Sequence, residues 1–296
     1  MRVLVTGAGG MLAHEAVLWL RAEGWDVTAL TRAELDVTRT ADVRAAVAAA
    51  RPDWVWHLAA YTDVDGCESN LEHAMRVNAD GAGNAAAAAR DAGASVLSIS
   101  SDYVFPGDDP TPRRETDPVG PLSAYGRSKL AGEEAVRAAT PNHLIVRTAW
   151  LYGAGGRNFV DTIRARALAG TPLTVVDDQH GSPTWTRMLV GALIELTHRR
   201  ATGTFHATNG GACTWYEFAC AICERLHANE GLHGRHQFEV GRQSSAELAR
   251  PARRPAWSVL DTGRLEATLG HPMLSWQGAL ALYLKQPVPE FQERRA

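Results

Sequence analysis

Tyr125 and Lys129 stand four apart in the run Ser123-Ala124-Tyr125-Gly126-Arg127-Ser128-Lys129. That spacing puts both side chains on one face of a helix, a turn apart. A phenol ionises near pH ~10 and is a poor acid at neutrality. An ammonium beside it favours the phenolate and lowers that pKa, which would let the phenol give or recover a proton near neutrality. Tyr-x-x-x-Lys alone occurs by chance in many helices. Two upstream features strengthen it here: a glycine turn at the start of the chain, and Ser100-Ser101-Asp102 between that turn and the pair.

The chain opens Met1-Arg2-Val3-Leu4-Val5-Thr6-Gly7-Ala8-Gly9-Gly10-Met11-Leu12-Ala13. An apolar, β-favouring run reads as a buried parallel strand. The glycines follow at once, and Leu12, Ala16, Val17 and Leu20 then recur at helical spacing. Strand, glycine turn and helix in that order are the context that makes a dinucleotide site of such a motif. Gly7 would allow the tight turn, and Gly10 would let the backbone approach a pyrophosphate at the positive helix end, next to Met11 and Leu12. Ala13 stands where a third glycine often does.

With a dinucleotide in place, three groups can converge for reversible hydride transfer to a carbonyl. Ser101 follows the strand-like run Val96 to Ser100 and so falls at the carboxyl edge of a sheet, where ligands bind. Its hydroxyl would hold the substrate carbonyl, Tyr125 would protonate the developing alkoxide, and Lys129 would tune Tyr125 and bond the nicotinamide ribose. The hydride itself belongs to the cofactor. Cofactor choice hangs on the end of the second strand, Ala29-Leu30-Thr31-Arg32, where NAD sites usually carry an acid. Arg32, with Thr31 beside it, could pair a 2′-phosphate and points to NADPH, with NADH as the second candidate. The alternative is a solvated surface arginine.

The elements that must position these groups alternate. Val27 to Leu30, Trp54 to Leu58, Val96 to Ser100 and His143 to Arg147 read as strands. Ala41 to Ala50, Leu71 to Ala92 and Ala124 to Ala139 read as helices between them, the alanine-dense stretches being strong helix formers. The fold class expected is α/β: a Rossmann-type, doubly wound parallel sheet with a smaller C-terminal substrate-binding lobe. Residues 1–152 are expected to form the dinucleotide domain, with a returning segment near 184–208, and 153–286 the lobe, set off by a glycine break at Gly153 to Gly156. Within the lobe, helices are expected at Phe159–Leu168, Thr186–Thr197, Trp215–Leu226, Asp261–Leu269 and Trp276–Leu284, and a strand near Leu173–Val176. Residues 287–296 read as a tail.

A length of 296 residues suits one large domain with a lobe, and 45% hydrophobic with 21% charged residues is ordinary for a globular enzyme. A net charge of −3 gives no argument for nucleic acid or an anionic membrane surface. No apolar run approaches a membrane span, and the first strand starts at Arg2, which leaves no room for a signal peptide; a cytoplasmic location is expected. Cys67, Cys213, Cys220 and Cys223 do not form a disulfide framework in so long a chain. Cys220-x-x-Cys223, with His227, His233 and His236 downstream, invites a zinc reading. No second such pair exists, and the flanking Trp215, Phe218, Ala219, Ile222 and Leu226 make these cysteines part of a core-packed helix, so no metal is expected.

Across nearly its whole length the chain resembles the dTDP-4-dehydrorhamnose reductase family of extended short-chain dehydrogenases/reductases. The stretches that carry the likeness are Gly7 to Ala13, His57-Leu58-Ala59-Ala60-Tyr61-Thr62-Asp63-Val64-Asp65, Ser100 to Phe105, Tyr125 to Glu133, Arg147-Thr148-Ala149-Trp150, and Asp178-Gln179-His180-Gly181-Ser182-Pro183-Thr184. Gly203 to His206, Thr214 to Glu217, Arg254-Pro255 and Ser258 to Asp261 add to it. The resemblance implies that Ala59, Ala60 and Tyr61 line the cofactor, that Asp36 and Val37 lie near its adenine, and that Ser101, Asp102 and Trp150 contact the deoxysugar end of a nucleotide-sugar substrate. It implies reduction of the 4-keto group of a dTDP-6-deoxy-4-keto-hexose, with a homodimer as one assembly open to the chain. The family usually carries threonine where Ser101 stands. Sugar dehydratases are similar too, but they usually follow the aspartate with glutamate, and Tyr103 stands there. Two other readings stay open: another nucleotide-sugar 4-epimerase or ketoreductase, and a non-catalytic subunit resembling the β subunit of methionine adenosyltransferase.

Overall fold

The computed structural model describes residues 1–229 and 239–286. His233, His236 and the expected tail at 287–296 fall outside the described residues. Chain order begins β1 (Arg2–Thr6), α1 (Met11–Ala22), β2 (Asp26–Leu30), α2 (Thr40–Ala50), β3 (Trp54–His57), α3 (Val64–Ser69) and α4 (Leu71–Met75). A π-helical turn at Arg76–Asp80 leads into α5 (Gly81–Asp91), β4 (Ser95–Ser101), α6 (Ala124–Ala139) and β5 (His143–Thr148). Then come β6 (Leu151–Tyr152), α7 (Phe159–Leu168), β7 (Leu173–Val176), β8 (His180–Gly181), β9 (Thr184–Trp185), α8 (Thr186–His198) and β10 (Gly203–His206). The chain continues through β11 (Cys213–Thr214), α9 (Trp215–Asn229), β12 (Val240–Gln243), α10 (Ser245–Leu248), α11 (Gly263–Leu269) and α12 (Trp276–Tyr283).

Six parallel strands pair in the order β10-β5-β4-β3-β1-β2. The order reverses at β1, so the loops after β1 and β3 part at their carboxyl ends and open the crevice where α/β sheets take ligands. Alternate strand residues face opposite layers, as a period of two requires. Val3, Val5, Trp54 and Trp56 pack with α1 and α8, while Leu4, Val55, Val96 and Ile145 pack with α2, α5 and α6. Both faces are covered, which is why the strands read as near-continuous apolar runs. On the second face the α5 alanines let helices approach closely: a Cβ on Gly83 would lie 3.2 Å from the Cβ of Ala135.

The helix expected over Leu71 to Ala92 is instead broken by the π turn. Its cause is visible at Asn78, which is buried and whose amide reaches across to the loop after β3 and to α6. A widened turn re-aims one side chain without ending the helix. The helix expected from Asp261 begins at Gly263, because the Asp261 side chain accepts the Gly263 N–H instead of entering the helix.

A second apolar cluster gathers Tyr152, Val160, Ile163, Leu173, Trp185, Phe218, Ile222, Trp276 and Leu280. Cys223 is buried in it, and Cys220 lies half-buried on the same helix, α9. The residues after α10 run back over the sheet's carboxyl edge. There the Ala252 N–H and the Arg254 guanidinium bond Asp65, each at 3.1 Å.

Candidate active site

Gly7 makes the turn after β1 with φ +69°, a left-handed conformation that glycine adopts without strain. A Cβ there would also lie 2.6 Å from the Cα of Ala59. The turn therefore closes directly on the end of β3, and only glycine fits. Gly10 caps α1 in extended conformation and offers no side-chain cap, so the first N–H groups of α1 face the crevice. The cleft beside them has a volume of ≈ 760 Å³. Gly7, Gly10, Thr31, Arg32, Asp36, Val37, Ala59, Ala60 and Tyr61 line it. Met11 and Leu12 do not. The Leu12 side chain sits in the core, so that position has only its backbone to offer.

Several cleft residues have side chains already engaged. Thr31 donates both its N–H (2.8 Å) and its hydroxyl (2.7 Å) to Glu34 Oε2. Asp36 accepts from the N–H and hydroxyl of Thr38, which holds its carboxyl below the usual range. Arg32 is exposed and carries its charge near Asp36. Leu58, His73, Arg76 and Val77 also line the cleft. The last three come from α4 and the π turn, and no local pattern in the sequence marked them.

The chemistry-bearing groups sit apart from this open cleft. Ser123 caps α6 by accepting the Gly126 N–H, and α6 then presents Tyr125 and Lys129 toward β4. Gly126 is required by contact: a Cβ there would stand 2.3 Å from the Tyr103 carbonyl oxygen. Lys129 is buried, and its Nζ donates to the Ile99 carbonyl of β4 at 2.7 Å. Burial lowers its pKa to about 8, against an opposing pull from Glu133. Tyr125 departs from the expectation of an acidified phenol. Burial first, then the negative charge of Asp102, push it above the ordinary phenol range, and the neighbouring Ser101 hydroxyl offsets them in part. Lys129 is not among the groups that lower it; its Nζ is bonded to a backbone carbonyl.

Ser101 ends β4, donates its hydroxyl to Asp102 Oδ1 at 2.8 Å and accepts the Tyr103 N–H at 3.2 Å. Asp102 is buried, with its pKa raised to about 6 by desolvation against hydrogen bonds from Ser258 and Ser101. Its Oδ2 is buried without a hydrogen-bond partner. The Tyr103 ring meets Tyr125 edge-on at 5.7 Å.

Trp150 lies farther along the same edge. Its φ of 48° is rare for a bulky residue and marks a position held by its surroundings. Its ring stacks on Trp215 at 3.6 Å, and a Cβ on Gly181 would run into it. Ser101, Asp102, Tyr125 and Lys129 are thus brought together at β4, while Trp150 belongs to an aromatic wall built from the second cluster.

Asn78, unmarked by any local pattern, ties the cleft wall to α6. Its Oδ1 accepts the Tyr61 N–H (2.8 Å), and its Nδ2 donates to the Tyr61 carbonyl (3.0 Å) and to Ser128 Oγ (2.9 Å). Ser128 in turn donates to the Tyr125 carbonyl.

Residues 1–288 match the family described as RmlD substrate binding domain. A dTDP-4-dehydrorhamnose reductase of Streptomyces griseus is 47% identical over 286 residues, covering 94% of this chain and 91% of that protein. The crystal structure of a dTDP-4-dehydrorhamnose reductase from Clostridium acetobutylicum superposes with TM-score 0.91 at 38% identity, covering 96% of this chain and 99% of that one. A Bacillus anthracis dTDP-4-dehydrorhamnose reductase in complex with NADP gives 0.90 at 36%, covering 97% and 99%. Among the described residues no helix is long and apolar enough to cross a membrane. With its parallel sheet, glycine turn and Ser-Tyr-Lys group in place, the chain belongs to the RmlD substrate binding domain family and is an oxidoreductase of the extended short-chain dehydrogenase/reductase type.

Proposed function

We propose that this chain catalyses NADPH-dependent reduction of the 4-keto group of a dTDP-6-deoxy-4-keto-hexose, dTDP-4-dehydrorhamnose to dTDP-rhamnose. The observation that carries the reading is the meeting of Ser101, Tyr125 and Lys129 at the carboxyl end of β4, tied through Asn78 to the wall of a glycine-turn cleft. The names of the Streptomyces, Clostridium and Bacillus relatives supply the substrate class.

The residues present suit a dinucleotide. Gly7 and Gly10 leave backbone open to a pyrophosphate, Val37 and Asp36 would flank the adenosine end, and Arg32, with Arg76 also on the cleft wall, offers a cation to a 2′-phosphate. When bound, the cofactor supplies the hydride. The protein's part is proton chemistry and alignment. Ser101 orients the carbonyl oxygen, and Tyr125 donates the proton that the developing alkoxide takes up. A phenol held above its ordinary range is protonated at the start of every cycle, the correct state for an acid. Lys129, lowered to about 8, can exchange its Ile99 contact for one to the ribose and the phenolate, and so bring the phenol back down once the site is filled. Asp102 Oδ2 and the Trp150–Trp215 stack suit the hydroxyls and apolar face of a deoxysugar.

Mixing the protein with NADPH and dTDP-4-dehydrorhamnose tests this. One NADPH oxidised per sugar reduced is the expected result. Isomerisation without net cofactor oxidation would point to an epimerase, and binding without turnover to a regulatory subunit.

A further inference from the structure

Below Lys129, on the same face of α6, lies a buried charge cluster that the reaction as drawn does not use. Glu133 follows Lys129 by one helical turn and is 2% exposed. Arg147 of β5, itself 3% exposed, grips it bidentately, Nε to Oε1 at 2.8 Å and Nη2 to Oε2 at 2.7 Å. Arg137, a further turn along α6, adds a 2.7 Å bond to Oε2. We propose that Glu133 is a positioning residue for the proposed reduction: clamped by Arg147 and Arg137, its carboxylate keeps buried Lys129 protonated while leaving Nζ free to serve the site. The inference rests on the reductase reading above.

The geometry separates two tasks that one carboxylate usually confounds. A free glutamate one turn from a buried lysine would swing to bond it and take Nζ out of the site. Here both oxygens are held by guanidiniums, and Nζ instead donates to the Ile99 carbonyl. Glu133 therefore acts on Lys129 through its field, not through contact. The planar guanidinium fork fits this clamp in a way that a lysine ammonium could not. The cation is in turn fixed by the Phe105 ring, 5.0 Å from its centre, and by the Glu115 carbonyl.

The other groups that face this axis are accounted for. His57 on β3 is held down to about 3 by burial and then by Lys129, and His206 on β10 down to about 4 by burial and then by Arg147, so both are neutral at working pH. Tyr125 on α6 is protonated, and Asp102 past the end of β4 acts on that phenol from the far side. Glu133 is thus the anion set to offset the desolvation of Lys129.

The chain holds only two lysines, Lys129 and the exposed Lys285. Full-length protein labelled with ¹³C at lysine Cε would therefore give two resonances, the second an internal control. In wild type, Lys129 should titrate well below the ordinary lysine range. In Glu133→Gln its midpoint should fall further, by about one unit or more, because the offsetting charge is gone. Arg137→Ala should move it the other way, because a cation is removed and the carboxylate is less neutralised. Arg137 is 37% exposed along its side chain, so this variant is expected to fold even if Glu133→Gln does not. The alkaline limb of kcat/KM for NADPH oxidation should follow both shifts, with KM for NADPH little changed. A folded Glu133→Gln protein whose Lys129 midpoint stays at the wild-type value overturns the proposal, as does an Arg137→Ala midpoint that fails to rise. Failure of the reductase reading would show differently: no turnover in wild type, with the two midpoints still free to move as stated.

Discussion

The glycine-turn cleft and the buried group at the end of β4 are built on opposite principles. The first is open, formed by the glycine turn, the ends of β2 and β3, α4 and the π turn, and several of its side chains point to solvent. The second is closed: Ser101, Asp102 and Lys129 are each at most 7% exposed, and residues around Arg254 and Ser258 lie over them. On the proposed function the open half would recognise phosphates and a flat base, which need donors and room. The closed half would move a proton, and burial is the largest influence on Lys129, pushed down, and on Tyr125 and Asp102, pushed up, while Arg147 holds Glu133 down against burial. Polar substitutions should therefore act through stability and protonation in the closed half, and through cofactor affinity in the open one.

The largest expected effect lies in the closed half. Arg147→Ala leaves Glu133 as a buried carboxylate with only the half-exposed Arg137, and loss of one partner of a buried pair costs about 3–5 kcal/mol. Thermal unfolding should show a marked drop in Tm; an unchanged Tm would mean the cluster adds nothing to the closed half.

Asp102→Asn should act in the opposite direction. A carboxyl raised to about 6 in the folded state is favoured when neutral, so its contribution is fullest below the unfolded pKa and is lost as pH rises through about 6. The amide has no charge to desolvate and should stabilise the protein by about 1–3 kcal/mol at mildly alkaline pH, with little gain below about pH 4. Denaturant melts of both proteins at the two pH values decide it, and a variant no more stable than wild type at the higher pH contradicts the assignment.

In the open half, Arg32→Ala should leave stability alone and reduce preference for NADPH over NADH about tenfold to a hundredfold, the worth of one charge-assisted contact. Thr31 is committed to Glu34 and cannot fully compensate. Cofactor titration of the free protein reads this directly, and the effect should shrink with salt. Equal binding of both cofactors by wild type and variant would make Arg32 a surface residue.

What the sequence made legible follows the same division by range. The bounds of α6 and α7 and of β7 are those the periodicity predicts, because capping residues such as Ser123 and Asn158 and the apolar spacing are local. The Gly7 turn reads equally well, since its need for positive φ is a property of one residue. The π turn was not legible: it exists because Asn78 meets Tyr61 and Ser128, 17 and 50 residues away. Lys129 gave the same kind of misreading. Its spacing from Tyr125 placed it correctly on one face, but not its bond to Ile99, 30 residues distant, nor the burial that raises the phenol it was expected to acidify. Spacing gives the face of an element, whereas the partner waiting on the next element sets the charge state.

The central claim is that Tyr125 is the proton donor of a reductase whose cofactor half stands independently of it. Tyr125→Phe keeps the ring that packs with Cys67, Ala74 and Ala124 and removes only the hydroxyl. NADPH affinity and NADPH oxidation with dTDP-4-dehydrorhamnose, measured on the same preparation, test both parts. The account predicts wild-type NADPH affinity with turnover reduced about 10²–10⁴-fold. Turnover at the wild-type rate would contradict it and remove Tyr125 from the mechanism.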